Sequence, residues 1–246
     1  MKKIFTLFVL VFASVGLLQA QGVNLTWPEY DAMKMAGTLP AEFHMSYPPA
    51  PPPAVEVKGQ AKGGGGGTGG NCNCWKTPDD QYTLIDNSSQ WNASGFGNGD
   101  DGSYGPVNLP FGFNLYGQTF NVAYININGN VSFGTYIGTY SSSAFPTTGP
   151  SMVAPFWADV DLRGGSAGQN LVQYKVTPNA LYVNWTNVGY YSQKTDKLNS
   201  FQVIISDGTN TDVGLGSNVS FCYRDMEWTT GSASSGVNGF GGTPAT

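Results

Sequence analysis

Two short acidic segments are the parts of this sequence best suited to chemistry. Asp100 and Asp101 lie in a loop rich in glycine and asparagine, and Asp159 and Asp161 are two residues apart in a second segment. Carboxylate oxygens in flexible loops are the ligands that Ca²⁺ prefers, so all four aspartates are candidate calcium ligands. The alternative is that they cap turns through the backbone, and neither segment matches the twelve-residue EF-hand pattern. No cofactor other than calcium is expected.

Enzymatic arrangements find little support in this chain. The one histidine, His44, lies beside a proline-rich stretch, so no Ser/His/Asp or Cys/His arrangement forms in the folded part. A glycoside hydrolase needs two carboxylates with separate acid and base roles. Asp159 and Asp161 are expected on the same side of one strand, and Glu227 is the only glutamate after the linker. We therefore predict a protein that is not an enzyme.

Tyrosines near predicted turns form a candidate binding surface. Amphipathic rings that stay exposed are enriched at binding surfaces and can stack on sugar rings. The alternative is that the same rings pack in the core or at a strand edge. The tyrosines are Tyr136, Tyr140, Tyr190 and Tyr191.

Three cysteines point to one disulfide. A structural zinc site needs four ligands, so one bridge and one odd thiol are expected. Phe221 and Tyr223 alternate with Cys222, which places the Cys222 sulfur on the strand face away from the core. We predict a bridge from Cys222 to Cys74, with Cys72 as the alternative partner. Three unpaired cysteines remain the competing interpretation.

The N-terminus and the charge balance indicate the compartment. Residues 1–20 combine Lys2 and Lys3 with an apolar run that ends at Ala20, the pattern of a secretory signal peptide. No later stretch is apolar enough to predict a membrane span. With 11 Lys+Arg against 16 Asp+Glu, the chain lacks the basic patch that nucleic-acid binding requires. We expect a secreted or cell-surface protein.

The remaining composition predicts the elements that must position these residues. Only 11% of the residues are charged, whereas 13% are aromatic and 34 are glycine. Residues 21–74 contain a proline cluster and a glycine run, which predict a disordered linker. From residue 75 to 246, short β-type runs alternate with turns, which predicts one antiparallel β-sandwich domain of the all-β class. The predicted strands are Thr119–Ile127, Val131–Tyr136, Ser151–Val160, Val172–Val176, Leu181–Val188, Ser200–Ser206 and Ser220–Glu227.

The dipeptide Asn128-Gly129 predicts a hairpin between the first two of these strands. A two-residue turn at this dipeptide would mix polar and apolar side chains on both faces. A three-residue loop over 128–130 separates them, and burial favours it because a slip of one residue moves every side chain to the other face. The apolar face in this register consists of Ile125, Ile127, Val131 and Phe133, with Ile127 opposite Val131.

Several ordered motifs resemble the NIDO domain family, an extracellular module. The segment 154–161 is similar to the family signature, 126–134 to its hairpin, 199–203 to one of its strands and 225–231 to its end piece. Motifs that occur together in the family order are more specific than any one of them. The residues that match the family pattern include Phe156, Trp157, Asp159, Asp161, Trp228 and Gly231.

The resemblance implies an exported adhesion or interaction module with a role in cell–matrix or surface attachment. Its ligand would be an extracellular protein or a glycan, and the competing class is a carbohydrate-binding module that uses the tyrosine-rich loops. Phe156 and Trp157 are expected on opposite faces of the signature strand, with at least one ring buried. Family members continue beyond the segment 241–245, whereas this sequence ends at Thr246, so we expect a domain that is incomplete at its C-terminus.

Overall fold

The computed structural model describes residues 27–39, 74–85, 90–91, 99–147 and 149–246. Within these ranges there is one α-helix, α1 (Trp27–Met35), and a short 3₁₀ helix at Ser232–Ser234. The strands are β1 (Thr83–Ile85), β2 (Ser103–Leu115), β3 (Gln118–Asn126), β4 (Asn130–Ser132), β5 (Met152–Val153), β6 (Val160–Asp161), β7 (Leu171–Thr177), β8 (Ala180–Tyr190), β9 (Lys194–Ser206) and β10 (Val219–Met226).

These strands form two packed antiparallel sheets. One sheet has the order β1-β7-β8-β9-β10, with β6 paired to β8, and the other has the order β2-β3-β4-β5. The main core combines Trp185 and Phe201 of the first sheet with Phe113 and Phe133 near the strands of the second. The Trp185 and Phe201 rings stack with centroids 5.0 Å apart. The predicted all-β sandwich is confirmed.

The hairpin after β3 has the predicted apolar face but a loop that starts one residue earlier. The predicted members are all buried in the main core: Ile125, Ile127, Val131 and Phe133. Ile125 pairs with Val131 and Asn126 with Asn130, so the three-residue loop is 127–129. Both registers keep the apolar side chains together, and the polar face decides between them. The Asn126 amide donates to Asn130 Oδ1 at 2.7 Å and to Ser132 Oγ at 2.9 Å, and all three side chains are buried.

Strand β2 is the longest element that the sequence does not predict. It contains Pro106 and Pro110, whose nitrogens cannot donate to a sheet ladder. The sheet order places β2 at an edge, which is where proline is tolerated. The pairing of β2 with β3 is interrupted between Tyr104 and Val107 and again between Asn108 and Phe113, which are the intervals that contain the prolines.

The predicted strand 151–160 is instead two short strands, β5 and β6, joined by irregular backbone. Phe156 and Trp157 therefore do not occupy opposite faces of one strand, but the two rings still enter different clusters. Phe156 packs in the main core, with its ring centroid 5.2 Å from those of Phe201 and Trp228. Trp157 lies in a separate cluster with Ile137 and Met152. Both rings are buried.

The predicted disulfide is confirmed. Cys74 and Cys222 are bonded, with Cα atoms 5.7 Å apart and a sequence separation of 148. Cys222 is buried because the incoming chain covers it, and the carbonyl of Lys76 accepts a hydrogen bond from Gln202 Nε2 at 2.9 Å. The disulfide therefore fastens the incoming segment to the outer face of β9 and β10. The alternative partner, Cys72, lies outside the described residues.

One part of the predicted linker is ordered. Helix α1 packs against the domain and buries Tyr30, Lys34 and, just after its end, Leu39. The sequence does not predict this contact, because the buried side chain at its centre is a lysine. Among the helices in the described ranges, none is long and apolar enough to cross a membrane. The predicted signal peptide lies outside those ranges, and the expected incompleteness beyond Thr246 stays a prediction.

Candidate functional site

Three of the four predicted acidic residues meet around one ammonium group. Lys34 Nζ lies 2.7 Å from Asp159 Oδ1, 3.2 Å from Asp100 Oδ1 and 3.0 Å from Asp101 Oδ2. All four side chains are buried. We call Asp100, Asp101 and Asp159 the acidic pocket. Lys34 enters this pocket from α1, which is distant in sequence from both acidic segments.

The hairpin loop holds the two acidic segments together. The backbones of Asp100 and Asp161 form an isolated antiparallel bridge. Asn128, in the 127–129 loop, donates from Nδ2 to Asp101 Oδ1 at 2.7 Å and accepts from the Val160 amide at 3.0 Å. Asn128 was not a predicted site residue. Its place in the family hairpin motif is the sequence signal that points to it.

A second cation, Arg163, holds the fourth aspartate. Its Nε and Nη2 atoms bind the two oxygens of Asp161 at 2.9 and 2.6 Å, a bidentate geometry that strengthens the pair. Nη2 also lies 3.1 Å from Asp100 Oδ2, and Nη1 lies 3.0 Å from Asp31 Oδ1 of α1. Neither Arg163 nor Lys34 was predicted. Arg163 follows Asp161 by two residues, whereas no local pattern links Lys34 to partners 66 and 125 residues away.

Tyrosine rings enclose the ammonium group. Lys34 Nζ is 4.4 Å from the ring centroid of Tyr140 and 4.3 Å from that of Tyr191, within range for cation–π attraction. The Tyr30 hydroxyl donates to Asp101 Oδ2, and the Tyr191 hydroxyl donates to Asp31 Oδ1 at 3.2 Å. These rings and ion pairs fasten α1 over the acidic pocket.

The expectation that the predicted tyrosines are exposed is wrong. Their exposed fractions are small, at 7% for Tyr136, 8% for Tyr140, 4% for Tyr190 and 0% for Tyr191. The loop that carries the first two folds back over the polar face of the hairpin, where the Ile137 amide donates to Asn126 Oδ1 at 3.1 Å. Tyr190 packs on Trp228 with ring centroids 5.4 Å apart. These tyrosines are therefore packing residues, and two of them line the acidic pocket.

One residue that matches the family pattern, Gly231, leaves room for a carboxylate of the acidic pocket. Asp159 Oδ2 is buried without a hydrogen-bond partner among the described residues. A Cβ atom at Gly231 would lie 2.6 Å from that oxygen, so only glycine leaves room for the carboxylate. Trp228, which precedes Gly231 in the sequence, is buried. Its Nε1 donates a hydrogen bond to the Val188 carbonyl at 3.0 Å.

Negative charge exceeds positive charge in this buried cluster. The pKa of Asp159 is raised to about 7, chiefly by burial; Lys34 opposes the rise and Asp101 adds to it. Burial also raises the pKa of Asp100 well above its ordinary value, again against the effect of Lys34. Burial alone would lower the pKa of Lys34, but the three carboxylates outweigh it and hold that pKa above its ordinary value. Lys34 is therefore an ammonium at neutral pH.

The acidic pocket has a donor set that suits a hard cation. One carboxylate oxygen from each aspartate lies within 4.8 Å of the others, and oxygen ligands are those that Ca²⁺ takes. In this structure the Lys34 ammonium lies between those oxygens. A calcium ion at Asp100, Asp101 and Asp159 would have to displace Lys34, and Asp161 is engaged by Arg163. Calcium binding by these aspartates stays a prediction.

The remaining carboxylate considered for catalysis has a structural contact of its own. Glu227 accepts a hydrogen bond from the Leu198 amide at 2.8 Å and is exposed. Asp159 is buried beneath α1 and paired with Lys34. The two carboxylates therefore have separate structural contacts.

Comparison with known proteins places this domain in a family. Alpha-tectorin from Homo sapiens is 32% identical over 174 residues, which cover 59% of this chain and 8% of alpha-tectorin. Alpha-tectorin from Gallus gallus is 30% identical over 174 residues, with the same coverage. Nidogen from Drosophila melanogaster is 28% identical over 172 residues, which cover 54% of this chain and 12% of nidogen.

The chain thus spans only a small part of the length of these relatives. No solved structure matches it significantly. A family model described as NIDO related matches residues 75–245, which include both sheets, the disulfide partner strand and the acidic pocket. The chain therefore belongs to the NIDO-related family.

Proposed function

We propose that this protein is an exported, non-enzymatic interaction module that attaches the cell or surface that carries it to extracellular material. The observation that carries the proposal is the family match over residues 75–245, together with the similarity to alpha-tectorin and nidogen. The disulfide between Cys74 and Cys222 supports it, because such bridges persist in oxidising, extracytoplasmic spaces.

The acidic pocket supports a structural rather than a catalytic role for its carboxylates. Asp100, Asp101 and Asp159 are held by Lys34 beneath α1 and are not presented to solvent. A catalytic acid or base must reach the proton that it transfers. The predicted alternative, carbohydrate binding through four tyrosines, loses its proposed surface because those rings are buried.

Strand β10 offers the contact surface for this function. It is an edge strand, and Phe221 and Met226 on it are 42% and 40% exposed. Exposed aromatic and Met side chains are enriched at protein interfaces. An edge strand also presents backbone groups that another chain can pair with. We therefore assign ligand contact to the β10 edge.

The experiment is a binding assay with the purified, exported protein on immobilised extracellular-matrix proteins and on a glycan array. We expect saturable binding to a matrix protein that Phe221→Ser weakens by tenfold or more. Tyr116→Ser is the matched control, because Tyr116 is 98% exposed in the turn between β2 and β3 and is not a residue of β10. Binding to glycans alone, or turnover of a substrate that Asp159→Asn abolishes, would contradict the proposal.

A further inference from the structure

Helix α1 and the acidic pocket form a docking pair with reciprocal charges. The helix contributes Lys34 to the three carboxylates of the pocket and Asp31 to Arg163. The helix on one side, and the pocket with the neighbouring Arg163 on the other, therefore each offer both signs of charge. Such an arrangement selects one partner and one orientation, because a wrong register would oppose like charges.

The pocket needs a cation from α1. If Lys34 leaves, Arg163 is the one cation among the described residues that still pairs with a pocket carboxylate, Asp100. A buried charge without its partner is strongly unfavourable. The vacated pocket would therefore either take up protons or bind another correctly placed cation.

The helix is separable from the core of the domain. The main core cluster contains no residue of α1. Tyr30 and Leu39 instead join Tyr140 in a small cluster of their own. A nine-residue helix is marginal in isolation, so α1 becomes helical as it docks. The domain core does not depend on which chain supplies the helix.

The connection between the two partners is long. Residues 40–73 separate the helix segment from Cys74, where the disulfide fastens the chain to the sheet. About 34 residues reach at most roughly 110–120 Å when fully extended. That reach is enough for α1 to meet the pocket of a neighbouring copy. Within one chain, a connection of this length gives an effective concentration in the millimolar range, so exchange between copies requires crowding of that order.

We propose that the acidic pocket is a receptor for α1 of a second copy of this chain, so that crowded copies exchange their helices and become linked. The occupant is argued from the charges of α1 and from the chain length that carries it. The inference does not rest on the proposed attachment function, and its test uses no extracellular ligand. Its failure therefore leaves that function untouched.

The test mixes two full chains with complementary defects. One chain carries Asp100→Asn and Asp159→Asn, so its helix is intact and its pocket has lost two charges. The other carries Lys34→Met, so its pocket is intact and its helix lacks the ammonium group. We expect each to be monomeric alone at micromolar concentration and the mixture to give a 1:1 complex by light scattering after size exclusion. A mixture that stays monomeric, with both chains folded, overturns the proposal.

A control mixture keeps every substitution but removes the complementarity. The pocket-defective chain is made with Lys34→Met as well, so neither chain in the mixture offers Lys34, and no complex should form. Addition of Ca²⁺ to the Lys34→Met chain tests the competing occupant. If Ca²⁺ raises its melting temperature and blocks complex formation, the pocket is a metal site and the proposal is wrong.

A second measurement covers the case in which a variant does not fold. Wild-type chains labelled with ¹⁴N and ¹⁵N are mixed at about millimolar concentration, the range of the effective concentration within one chain. Each time α1 leaves the pocket, a zero-length carbodiimide can reach the carboxylates, and Lys34 of the helix that docks next is joined to one of them; the linked peptides are analysed by mass spectrometry. Mixed-isotope links that increase with protein concentration support exchange. Links of a single isotope at every concentration overturn it.

Discussion

Lys34→Met is the substitution that most directly tests the energetics of the buried cluster. Methionine keeps an unbranched apolar stem but removes the ammonium that lies 2.7–3.2 Å from three buried carboxylates. Removing one partner of a buried ion pair costs about 3–5 kcal/mol. In a domain of this size, 1 kcal/mol shifts the melting temperature by about 2–4 °C. We therefore expect a decrease of roughly 6–20 °C.

The matched control is Lys197→Met. Lys197 Nζ lies 2.7 Å from Asp196 Oδ2, the same separation as between Lys34 and Asp159, but that pair is at the surface. Exposed pairs contribute about 0–1 kcal/mol, so the melting temperature should fall by less than roughly 4 °C. Both variants are measured by differential scanning calorimetry under non-reducing conditions. Equal melting temperatures for the two variants would refute the reasoning from burial.

Three further predictions concern Asp159, the disulfide and the hairpin loop. Because the pKa of Asp159 is raised to about 7, the native state binds more protons than the unfolded chain, so the unfolding free energy should rise as the pH falls from about 7 towards 4. Urea titrations should show a flatter dependence for Asp159→Asn, and an unchanged slope would contradict the assignment. Cys222→Ser opens a loop of 148 residues and should lower the unfolding free energy by about 2–5 kcal/mol in the same assay. A decrease of less than about 1 kcal/mol would contradict this prediction. Gly129→Ala should destabilise the domain far more than Gly134→Ala. Both glycines have positive φ, but of the two only Gly129 lies where a Cβ atom would collide with the Phe156 carbonyl. Equal melting temperatures for the two variants would count against that contact.

Local alternation and spacing determined much of the fold. The parity of apolar residues around Asn128-Gly129 identified the buried face of the hairpin, because side chains in a strand alternate strictly between two faces. The same alternation placed Cys222 on the outer face of β10, within reach of Cys74. The acidic segments that form the pocket were also recognisable, since clustered aspartates in turn-rich sequence are a local feature.

Contacts between distant segments decided the rest. The sequence does not predict β2 because the strand contains prolines, which a sheet tolerates at its edge. That β2 is an edge strand follows from the order of the strands and not from its own residues. Tyr140 and Tyr191 are buried where α1, which lies far away in the sequence, packs against their rings, and no nearby residue indicates this contact. The cation among the aspartates comes from Lys34, 125 residues before Asp159. A charge can be buried only where its partners are brought together, and that placement exists only in the folded chain.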